Sequence, residues 1–103
     1  MQLELFAEEL RRLLSEPSHP PAGWTDAEIR HFYLVAQCAD AAIVPADLHA
    51  LQVLRLRTRP DDPPGISSVQ LSPARRLIIT FKTDSMPMTA VFDIVLSQTE
   101  GPT

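Results

Sequence analysis

The chain has 103 residues, 45% of them hydrophobic, and a formal net charge of −4. That length suits one domain, residues 1–103, with a modest core, and the acidity argues against strong non-specific nucleic-acid binding, which rests on neutralising phosphates, while leaving room for a local basic face. No apolar run approaches the ~20 residues needed to cross a bilayer, so no membrane partner is expected, and the lone Cys38 excludes a disulfide framework and suits a reducing cytoplasm.

In chain order, Met1, Leu3 and Leu5 alternate with Gln2 and Glu4, a short first strand. The acids Glu4, Glu8 and Glu9, with no basic-then-apolar run, do not read as a secretory signal. From Phe6 the period changes: Phe6, Leu10, Leu13 and Leu14 form one stripe of a helix. A single helix from near Leu3 is the alternative. Pro17 ends the helix, and the stretch to Gly23 is a loop. Thr25 as N-cap and Glu28 at N3 make a capping box, with Trp24 and Ile29 at the staple positions. The helix that follows is predicted to run to Ala41 or Ala42, with Ile29, Phe32, Tyr33, Ala36 and Asp40 on one face and Val35, Ala39 and Ala42 broadening it. A short turn is expected over Ala46–Ala50.

Leu51 to Arg59 reads as a strand, with Leu54, Leu56 and Thr58 alternating against Arg55, Arg57 and Arg59. Pro60 to Gly65 is a loop. Three further strands follow: Ile66–Leu71, Arg75–Lys82 and Met88–Leu96, with turns at Ser72–Ala74 and Thr83–Pro87. Leu77, Ile79 and Phe81 share one face, and Arg76, Ile78, Thr80 and Lys82 the other. The tail from Ser97 has nothing to bury. The expected fold is α+β, two helices packed on one face of a mainly antiparallel sheet, in the order β-α-α-β-β-β-β.

That order, together with a helix leading into Ala46-Asp47-Leu48, the run Leu54–Arg57, the run Ile66–Leu71 and the run Arg75–Phe81, resembles the RelE/ParE superfamily of bacterial toxins, nearest its HigB or plasmid-maintenance killer branch. The resemblance implies the toxin of a type II toxin–antitoxin module, a ribosome-dependent mRNA endoribonuclease that works without a metal or other cofactor. Its partners would be a cognate antitoxin, the ribosome and mRNA, with a homo-oligomer left open. Such enzymes use the RNA's own 2′-hydroxyl, and positive side chains stabilise the charge on the phosphorus. Arg76 sits where the family places its sheet arginine and is the implied catalytic residue. The chain departs from that branch in its acidity and in its last segment, Val95 to Gly101, which holds neither tyrosine nor histidine. A toxin-like protein acting only by protein binding, on an antitoxin or a gyrase-type target, and an unrelated interaction domain are the alternatives.

Among individual residues, Arg55, Arg57 and Lys82 are the candidate RNA contacts. A solvated strand face is the plainer account of the arginines. Arg75 and Arg76 point to opposite faces, so one phosphate cannot take both unless the strand is bulged there. His19, His31 and His49 lack ligand spacing with Cys38 or a carboxylate, so no metal site is expected. Gly23, Gly65 and Gly101 are too scattered for a phosphate loop.

Overall fold

The computed structural model describes residues 1–16, 18–58, 65–84 and 86–96. Pro17, Arg59, residues 60–64, Ser85 and residues 97–103 lie outside that set, and with them the expected helix stop, the third arginine of the Leu51–Arg59 run, most of the following loop and the tail.

The chain begins with strand β1 (Gln2–Leu5) and helix α1 (Glu8–Ser15). The period switches two residues later than the sequence suggests. Phe6 therefore stays outside the helix and is 70% exposed, while Leu10 and Leu13 carry the buried stripe. Leu14, on the flank of that stripe, is 43% exposed. Helix α2 (Asp26–Ala41) starts at the capping box. The Glu28 backbone N–H donates to Thr25 Oγ1 (3.2 Å), and the Thr25 N–H donates to Glu28 Oε1 (2.8 Å). Two otherwise orphaned donors are thereby satisfied. The buried face of α2 is Phe32, Val35, Ala36 and Ala39, with Asp40 turned to solvent. Val35 and Ala39, expected to broaden the stripe, lie at its centre, and Asp40 leaves it because a carboxylate there cannot be buried without a partner. Tyr33 ties the two helices, its hydroxyl donating to the Leu13 carbonyl at 2.6 Å.

Helix α3 (Pro45–His49) is one short turn that buries Leu48. The Asp47 carboxylate accepts the Ile43 and Val44 N–H groups at 2.9 and 3.2 Å. Those bonds hold its pKa below the ordinary carboxylate value.

The expected strand Leu51–Arg59 does not form. A 3₁₀ turn (Gln52–Leu54) buries Leu54, and Arg55 then adopts the left-handed conformation at φ 56°, ψ 42°. A residue in that region reverses the chain direction and breaks the alternation a strand needs. What survives is one antiparallel bridge. The Arg57 N–H donates to the Ser68 carbonyl at 2.9 Å, and the Ser68 N–H donates to the Arg57 carbonyl at 2.8 Å. The order is thus strand, two main helices, a short third helix and three strands, rather than a chain ending in four.

Strands β2 (Ile66–Ser72), β3 (Arg75–Lys82) and β4 (Thr89–Leu96) form the antiparallel meander. β1 pairs parallel to β4, with Leu3 beside Ala90 and Leu5 beside Phe92, giving a mixed sheet of order β1-β4-β3-β2. The faces follow the alternation. Leu77, Ile79, Phe81, Ala90 and Phe92 are buried under the helices, and each such side chain contributes about 1.5–3 kcal/mol of transfer free energy when large. Phe92 meets Phe32 of α2 edge-on at 6.3 Å between centroids. The opposite face carries Arg76, Ile78 and Thr80, half-buried, and the exposed Lys82. Among the described residues no helix is long and apolar enough to cross a membrane.

Candidate functional site

The β2–β3 turn builds the site. Gln70 pairs with Arg76 and Ser72 with Arg75, so β2 spends two residues where β3 spends one. The extra residue, Leu71, is a bulge. A bulge turns two successive side chains to one face, and here Leu71 is buried while Ser72 also reaches the helix side. The chain crosses Ser72, Pro73 and Ala74 and re-enters the sheet with Arg75 inward and Arg76 outward.

On the outer side, Arg55, Arg57, Thr58, Ser68, Gln70, Ser72, Pro73 and Arg76 line a groove of about 620 Å³. Three arginines from two parts of the chain, the segment after the 3₁₀ turn and β3, therefore meet at one surface. Arg55 arrives by its left-handed backbone, Arg57 by its bridge to β2, and Arg76 by the alternation of β3. Among the described residues no carboxylate lies within ion-pair distance of any of them. Guanidinium groups present fork-like donors that match phosphate and carboxylate oxygens. Three of them with hydroxyl and amide donors between them make an anion-binding surface. The described lining holds no His, Asp, Glu, Lys, Tyr or Cys, so those residues supply charge and hydrogen bonds but no group that trades a proton near neutrality. Aromatic side chains are absent from it too, so a base has no stacking platform there.

Lys82 is not part of this surface. It shares the face of Arg76 but lies six residues along β3, about 20 Å away at strand rise, and its ammonium stands 3.5 Å from Glu4, both groups exposed. Such a pair contributes little to stability.

Beneath the groove wall lies a buried polar cluster. Arg75 donates to Glu28 Oε1 at 2.7 Å and to the Gly23 carbonyl at 3.3 Å. Its guanidinium carbon sits 4.3 Å from the centre of the Trp24 ring. The Ser72 hydroxyl donates to the other Glu28 oxygen. Residue exposure is 2% for Glu28 and 8% for Arg75. Burial pushes the Glu28 pKa up, but the bonds from Ser72 and the Thr25 N–H, with the Arg75 charge, outweigh it and hold the carboxyl below its ordinary value.

The histidines are dispersed. His49, exposed at the end of α3, brings Nε2 to 3.1 Å from Ser67 Oγ and stands 6.1 Å from the Phe81 ring. His31 is half-buried with its Nε2 enclosed. Cys38 is half-buried and free. Among the described residues no group of His, Cys, Asp or Glu could hold a metal.

Sequence reasoning found the three groove arginines and missed the cluster under them. One signal was present. Arg75 has the same parity as Leu77, Ile79 and Phe81, so it had to face the helices, and an inward arginine requires an acidic partner. No protein-family model matches the chain, and no curated protein matches it.

Proposed function

We propose that this protein is a toxin of the RelE/ParE type, of the HigB-like branch, whose groove takes the phosphate backbone of ribosome-bound mRNA. The single observation that carries the reading is the convergence of Arg55, Arg57 and Arg76, unpaired among the described residues, on one surface. A cognate antitoxin would cover that surface, and the setting would be cytoplasmic. Arg76 is the group suited to the developing charge on phosphorus, since it is half-buried and therefore less screened than Arg55 or Arg57.

The test is expression in bacteria. Growth arrest with cutting of ribosome-bound mRNA, relieved by Arg76→Ala, supports the reading. A folded chain that leaves growth and mRNA intact removes it.

A second reading, binding without cleavage, is favoured by the chemistry of the lining. Attack by a 2′-hydroxyl requires that it lose a proton and that the leaving 5′-oxygen gain one. The described groove residues are arginine, serine, threonine, glutamine and proline, and none exchanges protons readily at neutral pH. Retained RNA or antitoxin binding with intact mRNA would select this second reading.

A further inference from the structure

We infer that the buried Glu28–Arg75 pair is a positioning pair for the groove, setting where the Ser72–Pro73 wall and Arg76 stand, so that filling the groove and the state of the pair depend on each other. The inference rests on the reading of the groove as a phosphate-binding surface.

Ser72 belongs to both structures. It lines the groove, and its hydroxyl donates to Glu28. The same oxygen accepts the Ala74 N–H at 3.1 Å, which shapes the turn itself. On the groove side, the Gln70 amide reaches the Ser72 and Arg75 carbonyls. The turn is thus held from inside by Glu28 and from outside by Gln70. Arg76 follows Arg75 directly, so the anchoring of one side chain inward settles the strand register that sends the other outward.

Stability alone does not account for the pair. A capping box needs only an exposed glutamate at N3. Enclosing that glutamate with an arginine costs desolvation that the mutual attraction often only offsets, and apolar replacements of similar volume are frequently no less stable. What the pair does supply is geometry: three elements, the α2 N-terminus, the Gly23 loop and the β2–β3 turn, meet at one carboxylate and one guanidinium. Trp24 is the chain's sole tryptophan and lies against Arg75, so it reports on this cluster from the far side of the sheet.

The experiment uses the full chain and a single-stranded oligouridylate, whose base scarcely absorbs where tryptophan is excited. Binding is followed by anisotropy of a labelled oligonucleotide and by Trp24 emission. Wild type should bind, with an emission change at the same midpoint, and Arg76→Ala should weaken binding. Glu28→Gln, folded by circular dichroism, should bind about fivefold to tenfold more weakly and lose the emission change. The double variant Glu28→Gln/Arg75→Met replaces the pair by uncharged groups of similar size, and it should weaken binding by the same factor while unfolding at a temperature near that of wild type. If wild type binds and Arg76→Ala weakens it, but either pair variant binds like wild type, the positioning role is overturned and the groove reading stands. If wild type does not bind, or Arg76→Ala binds equally well, the groove reading falls and takes this inference with it.

Discussion

The Arg75 guanidinium lies over the Trp24 ring, 4.3 Å from its centre, and donates to the Glu28 carboxylate at 2.7 Å. A desolvated cation over an indole face is worth about 2 kcal/mol. Arg75 Nε and Trp24 Nε1 are buried without hydrogen-bond partners among the described residues, so the stack, the carboxylate and the Gly23 carbonyl carry the arginine between them. That arrangement makes the charge state of Glu28 a property of the whole fold.

The pH dependence follows. The Glu28 pKa lies below its ordinary value of 4.5 in the folded protein. Its contribution is therefore fully present above pH 4.5 and is lost as the pH falls through the lower folded value. Glu28→Gln should cost about 1.5–3 kcal/mol at pH 7, because the arginine keeps an acceptor but loses a charged one. The gap between the wild-type and variant urea midpoints should shrink on acidification below that ordinary value. A gap unchanged between pH 7 and pH 3 would show that the carboxyl does not titrate with folding.

Thr25→Ala removes the acceptor of the Glu28 N–H and should cost about 1 kcal/mol, with Thr25→Ser close to wild type. Chemical denaturation of the three proteins measures this directly. An alanine variant as stable as wild type would mean that the N-terminal amides of α2 are satisfied some other way.

The capping box was legible because it is local: all its partners lie within four residues. The inward face of β3 was legible because a strand's period is two, and Leu77, Ile79 and Phe81 are buried as that period requires. The segment 51–58 was not. Its leucine–arginine alternation mimics a strand, yet the left-handed Arg55 breaks it, and nothing in the residue type announces a positive φ. The groove was half legible. Arg55 and Arg57 were singled out on a strand that does not form, and they meet Arg76 of β3 because a 3₁₀ turn and one bridge bring them to the β2 edge. The Glu28–Arg75 contact spans 47 residues, and only the parity of Arg75 hinted at it.

The two sheet phenylalanines should differ. Phe92 is wholly enclosed and contacts Phe32, whereas Phe81 keeps 8% exposure beside His49. Both alanine variants should lose about 3–5 kcal/mol, Phe92→Ala more than Phe81→Ala, because the Phe81 site opens to solvent and collapses more easily. Equal losses in thermal unfolding would argue that the Phe81 site is as rigid as the centre.

Arg55 carries a backbone cost that its side chain does not explain. At φ 56° a residue with a Cβ is about 1 kcal/mol less favourable than glycine. Arg55→Gly and Arg55→Ala both delete the guanidinium, so both should weaken oligouridylate binding alike. They should separate in stability, the glycine variant being the more stable by about that amount. Identical stabilities would mean that the turn relaxes out of the left-handed region once the arginine is gone.

The last expectation separates the groove from the rest of the basic surface. Each phosphate neutralised on a single strand adds about 0.7 to the slope of log K against log salt. Arg76 lines the groove without an acidic partner among the described residues, whereas Lys82 stands beside Glu4 at the other end of β3. Arg76→Ala should therefore weaken oligouridylate binding and flatten the slope by about 0.7, one contact's worth. Lys82→Ala should leave both affinity and slope near wild type, because its charge is already partly balanced and lies about 20 Å from Arg76. Arg57→Ala should behave like Arg76→Ala, since both guanidiniums line the same groove. Were Lys82→Ala to flatten the slope as much as Arg76→Ala, the oligonucleotide would be tracking the whole open face of the sheet, and the three arginines would lose their distinct role.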